Sequence, residues 1–262
     1  MGYKGAKGAI KMNGAENNWI QHGDKIREKI EKGDRKLAIG LPVTDEKVSR
    51  HFMLSFIRLD KPDLTLLTPN FPGHIEDMRN QLIMAAMNEG VTDIILMDTD
   101  QIYPEDTVTN LLRHDDLPFI GTVVHRRYPP FDPILYRGQL HKYWHIPDDE
   151  CYSGDLIEVS ATGCGCVYYS MKCFLDVEYP WFEMDVQGSG DVAPAEWRHV
   201  GEDIGLCYKL IDLGYKLHVD TSCQIDHLST MRINRETHEV FKRLNNFEWN
   251  KPPVDNDPVI MK

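Results

Sequence analysis

Apolar residues along this chain follow two patterns. Short unbroken runs occur at Leu37-Ala38-Ile39-Gly40-Leu41-Pro42-Val43, Leu64 to Leu67, Ile94 to Met97 and Phe119 to Val124. Runs without polar alternation suit strands buried on both faces. Between them, apolar positions recur at helical spacing. Thr44 is placed to cap a helix from about Asp45 to Leu59. His74 to Glu89 carries the stripe Ile75, Leu82, Ile83 and Ala86, and Gly90 closes it. Pro104 suits the first turn of a helix bearing Val108, Leu111 and Leu112. Strand and helix alternating at short spacing predict an α/β fold, a mostly parallel Rossmann-like sheet flanked by helices.

The second half is less regular. Residues 125–156 are crowded with His, Arg, Tyr, Pro and Trp, and small residues surround Gly163 and Gly165 before Val167-Tyr168-Tyr169. Glu202 to Leu213 reads as a helix closed by Gly214, Leu217 to Val219 as a strand, and Ile225 to Leu228 as a short extended piece. No linker or internal repeat divides the chain. The expected organisation is a polar arm over 1–36, one domain over 37–230 and a charged tail over 231–262. Within the arm, Ile26 and Ile30 mark a short amphipathic helix from Asp24 to Lys32.

The buried run Ile94 to Met97 ends abruptly in Asp98-Thr99-Asp100. In extended chain two carboxylates two positions apart share a side, roughly 7 Å apart at Cα. Ligands of parallel α/β sheets gather at the carboxyl ends of strands, where this pair lies. A divalent cation would turn repulsion into coordination, and oxygen ligands suit Mg²⁺ or Mn²⁺. The competing reading is a strand running out into a polar turn. Pro42-Val43-Thr44 and Thr68-Pro69-Asn70 end neighbouring strands at the same edge.

Four further constellations carry candidate chemistry. Arg79 sits on the apolar stripe of its helix and needs an anion, either an internal carboxylate or a bound phosphate; Asn80 beside it is placed to bond the same ligand. Asp203, in the first turn of the Glu202 helix, shares a face with Cys207, Leu210 and Ile211. It is either a plain helix-start acid, favoured by the dipole, or a general base. Glu202, on a different side, is the second candidate. His227 is either a structural histidine or a third ligand to the cation, and Asp226 is either its orienter or a surface acid. His125-Arg126-Arg127-Tyr128 opens at the ligand edge as a basic turn or a phosphate contact. Trp144, Trp181 and Trp197 lie in the irregular half, and tryptophans fill cores or stack on sugars; Trp181 and Trp197 are kept as acceptor-site candidates.

Composition narrows the partners. The chain has 262 residues, 42% of them hydrophobic, enough for a substantial core. A net charge of −12 argues against a broad nucleic-acid or anionic-membrane surface. The six cysteines form no C-x-x-C pair and read as buried thiols. No apolar stretch reaches membrane-spanning length and no leader pattern is present, so a cytoplasmic chain is expected.

In order and spacing these pieces resemble the GT-A glycosyltransferases, family-2-like members of bacteria and their phages. The resemblance runs over about residues 37–230. It is carried by Gly40-Leu41-Pro42-Val43-Thr44, Met78-Arg79-Asn80 and Asp98-Thr99-Asp100, then Tyr103-Pro104-Glu105-Asp106. Ala161-Thr162-Gly163, Gly201-Glu202-Asp203, Gly214-Tyr215 and His227 complete it. It implies a nucleotide-sugar donor, UDP- or GDP-linked, and an acceptor hydroxyl such as that of a glycan, met by the irregular half. Asp100, assisted by Asp98, would hold Mn²⁺ or Mg²⁺ on the diphosphate, with His227 as third ligand. Asp203 would take the acceptor proton in an inverting member, and Pro42, Thr44 and Asn70 would hold the nucleoside. Thr68-Pro69-Asn70 stands where the family has a base-reading acid. The Q-x-x-R-W element of processive members is absent, which points away from a polymerising synthase. Two alternatives remain. A sugar-phosphate nucleotidyltransferase would show a Gly-rich basic loop where Pro42-Val43-Thr44-Asp45-Glu46 stands. A non-catalytic nucleotide-sugar-binding module would keep the same fold.

Overall fold

The computed structural model describes residues 16–43, 47–140, 142–187 and 198–230, and six single positions between 234 and 244. The chain divides into two compact units, Met1–Leu228 and Ser229–Lys262. Most of the expected tail over 231–262 lies outside the described residues.

The first unit opens with α1 (Glu16–Lys32), β1 (Leu37–Gly40), α2 (Arg50–Arg58), β2 (Thr65–Leu67), α3 (Ile75–Asn88) and β3 (Asp93–Met97). It continues with β4 (Gln101–Ile102), α4 (Thr107–Leu112) and β5 (Phe119–Val124). The irregular half adds β6 (Leu135–Gln139), β7 (Lys142–His145), α5 (Asp148–Cys151), β8 (Leu156–Val159), β9 (Ala161–Thr162), β10 (Cys166–Ser170) and α6 (Lys172–Asp176). Then come β11 (Asp185–Gln187), β12 (Arg198–Val200), α7 (Glu202–Asp212) and β13 (Leu217–His227).

The central sheet runs β2-β1-β3-β10-β5-β13-β4, with β8 also on β13. Strands β2, β1, β3, β5 and β13 share one direction, and β10, β4 and β8 oppose it. The sheet is thus mixed and largely parallel. Helical segments cover both faces, and side chains alternate between them. Ile94 and Leu96 enter one core with α1, α3, α6 and α7, whereas Ile95 and Met97 enter the other with α2 and α4. Strands β5 and β10 divide the same way, with Phe119 and Val167 on one side and Ile120 and Cys166 on the other. Smaller sheets β7-β6-β9 and β11-β12 complete the unit.

Several expected boundaries move. Helix α2 begins at Arg50, because Ser49 accepts a hydrogen bond from the His51 N–H; Thr44 lies outside the described residues. The amphipathic helix expected from Asp24 starts at Glu16, and Ile26 is fully buried in the core. The two late extended pieces are one strand, β13, with a register shift between Asp220 and Gln224. Strand β10 enters antiparallel between β3 and β5, a placement that local pattern does not encode. All six cysteines are free and buried. Among the described residues, no helix is long and apolar enough to cross a membrane.

Candidate functional site

Backbone pairing builds the site at the carboxyl end of β3. The Asp98 N–H donates to the Gly165 carbonyl at 2.8 Å, which joins the end of β3 to the start of β10. The Tyr103 hydroxyl donates to the Asp98 carbonyl at 2.6 Å and reaches the Gly165 carbonyl at 3.2 Å. Strand β4 pairs antiparallel with the end of β13, setting Gln101 opposite His227, and the Leu228 N–H donates to the Asp100 carbonyl. This ladder, and no local feature, brings Asp100 to His227.

His227 Nε2 lies 3.3 Å from Asp100 Oδ2, and its Nδ1 lies 2.6 Å from the His125 carbonyl. A carbonyl only accepts, so Nδ1 carries a proton and the ring is held with Nε2 toward Asp100. His125 is in place because β5 runs parallel beside β13, Val124 opposite Ile225. Two residues on, Arg127 Nη1 donates to the same Asp100 Oδ2 at 2.8 Å. Burial alone would raise the Asp100 carboxyl. The hydrogen bond and charge of His227 and the charge of Arg127 outweigh it and hold Asp100 below its ordinary value. Burial would lower His227, but Asp100 and the His125 carbonyl leave it raised.

Asp98 has different partners. Arg79 Nη2 forks onto both of its oxygens, at 2.9 and 3.1 Å, while Arg79 Nη1 pairs with Glu202 Oε1. Arg79 and Glu202 are both buried. Burial lifts the Glu202 carboxyl to about 7, although the Arg79 charge pulls it down. Burial likewise raises Asp98 despite Arg79. The internal ion pair is therefore the arrangement that Arg79 adopts. Asn80 is committed too: its amide donates to the Phe182 carbonyl at 2.8 Å and accepts from the Phe182 N–H at 3.1 Å. It clamps a loop and faces no ligand edge.

At the start of α7 the expected order of the two acids is reversed. Glu202 points inward to Arg79, and Asp203 is half-buried. Asp203 Oδ1 accepts from the Ile204 N–H at 2.7 Å, and its charge reaches Asp98, Glu202 and Cys164. The reason is the buried guanidinium, whose Nη1 donor is not used by Asp98 and needs an acceptor. Pro42 is buried just past β1, and Asn70 is exposed after β2, outside this hydrogen-bonded cluster. Asp226 is exposed and does not orient His227; the His125 carbonyl does. Trp181 is a core residue whose indole N–H donates to the Phe174 carbonyl at 2.7 Å. Trp144 is exposed, and Trp197 lies outside the described residues.

Asp100 and His227 bring together one carboxylate oxygen and one oriented imidazole nitrogen, donor types that a cation such as Mn²⁺ accepts, and Arg127 bonds the same oxygen. Asp98 is turned to Arg79 and does not complete that set. Among the described residues, no three His, Cys, Asp or Glu side chains form a group that could hold a metal ion. Sequence reasoning missed the His125 carbonyl and the Gly165 contact. The glycines at 163 and 165 were the only local sign of close backbone approach.

No family model matches the sequence, and no curated protein matches it. Among solved structures, a crystal structure of A197 from STIV is 12% identical with a TM-score of 0.48, covering 76% of this chain and 97% of that one. That likeness is too slight to bear on function.

Proposed function

We propose that the chain is a glycosyltransferase of GT-A type. It would move a sugar from a nucleotide-diphospho-sugar to an acceptor hydroxyl with the help of Mn²⁺ or Mg²⁺. The observation that carries this reading is the meeting of Asp100 and His227 at the carboxyl edge of a largely parallel sheet, with the imidazole oriented by the His125 carbonyl. Asp100 and His227 hold the cation. When bound, the cation supplies Lewis-acid stabilisation of the departing nucleoside diphosphate. Arg127, on the same carboxylate, brings further positive charge to the diphosphate. Asp98 anchors the end of β3 to α3 and α7 through Arg79. Asp203, half-buried and not engaged by Arg79, takes the acceptor proton.

The test is hydrolysis of a panel of UDP- and GDP-sugars with Mn²⁺ and with EDTA, on the wild type and on Asp100→Ala. Metal-dependent turnover of one donor, lost at least about a hundredfold in Asp100→Ala, is expected. Absence of turnover with every donor would sink the enzyme reading. His227→Ala should weaken Mn²⁺ binding by calorimetry, and unchanged affinity would remove His227 from the cation site.

A further inference from the structure

Helix α2 presents an outward face of apolar and basic residues on an acidic chain. Its inward side is Phe52, Ser55 and the half-buried Phe56. The six remaining positions are all exposed: three apolar, Met53, Leu54 and Ile57, two basic, Arg50 and Arg58, and His51. None is acidic, in a chain with 41 acidic side chains against 29 lysines and arginines. Ile57 is 67% exposed and Met53 45%. At helical spacing Met53, Leu54 and Ile57 are neighbours in one patch, which Arg50 and Arg58 flank about 12 Å apart along the axis.

Folding alone does not account for this face. Arg50 opens the helix and no acid stands in the first turn, so its charge opposes the helix dipole. The apolar side chains gain nothing from water. An environment that favours both is an interface with apolar chains below and anionic groups above. We propose that α2 docks this chain on an anionic phospholipid bilayer. The helix lies in the membrane plane, Met53, Leu54 and Ile57 enter the acyl boundary, and Arg50 and Arg58 meet lipid phosphates. The net charge of −12 excludes a broad basic footprint and makes the docking directional, since the acidic remainder is repelled. The proposal is independent of the donor site.

The experiment is co-sedimentation of the full chain with vesicles of phosphatidylcholine alone and of phosphatidylcholine mixed with phosphatidylglycerol. Binding to the anionic vesicles, weakened by salt, and none to the neutral ones is expected. Arg50→Gln should lower vesicle affinity about fivefold. It should leave thermal stability equal or higher, because a first-turn cation is removed; a merely structural arginine would behave in the opposite way. Met53→Ser with Ile57→Ser should abolish sedimentation while the far-ultraviolet circular dichroism stays unchanged. Equal sedimentation with both vesicle types overturns the proposal. So does none with either, as for a face that meets an acidic protein, and so does indifference to all three substitutions.

Discussion

Arg79 gathers more of the site than any other side chain. A guanidinium stays charged and carries five N–H donors, so a buried one must collect acceptors, and this one takes Asp98 and Glu202. The two acids lie 19 and 123 residues away in the chain. Burial carries Glu202 from 4.5 to about 7. Between those values the native chain holds a proton that the unfolded chain has released. Stability contributed by this group is complete below the lower value and is lost as pH rises through the upper one. Glu202→Gln should therefore flatten the fall in melting temperature from about pH 5 to about pH 8. If the two chains lose stability in parallel over that window, another group is responsible. At this scale the sequence marked Arg79, Asp98 and Glu202 as unusual by type and position. It left open which anion the arginine takes, because that choice depends on a helix start far along the chain.

At the scale of elements, the site is a junction of strand ends. Strand β10 reaches β3 at Cys166 opposite Met97, and the residue before it, Gly165, closes on Asp98 and Gln101. A Cβ at Gly165 would sit on the Gln101 side-chain amide, and Gln101 is fully buried. Gly165→Ala should cost about 1–3 kcal/mol in urea unfolding. Substitution without cost would mean that the Gln101 side chain has room to move. The strands β1, β3 and β5 were legible as unbroken apolar runs, and α3 and α7 by their spacing and closing glycines. Strand β10 was not legible as a central strand. Its run resembles any other buried run, and only pairing partners decide whether it lies parallel, antiparallel, central or edge.

Across the whole first unit, what reads as a polar arm is part of the packing. Ile26 is fully buried, α1 packs on α3, and Arg27 bonds the Leu175 carbonyl and pairs with Asp176. Ile26→Ala should destabilise the chain by about 2–5 kcal/mol. A loss below about 0.5 kcal/mol, the scale of a surface change, would return α1 to the status of a decoration. The charged composition of this segment hid its role, since Ile26 and Ile30 stand among charged residues and still pack on the core. The sequence by itself determined the buried strands, the amphipathic helices and the pair of carboxylates ending β3. Each of these is written in neighbouring residues through the periods of strand and helix. Only the tertiary structure decided that Asp98 belongs to Arg79 and Asp100 to His227 and Arg127. Two carboxylates two positions apart are alike in local pattern; the partners that distinguish them come from strand pairing and helix packing, 19 residues away for Arg79, 27 for Arg127 and 127 for His227.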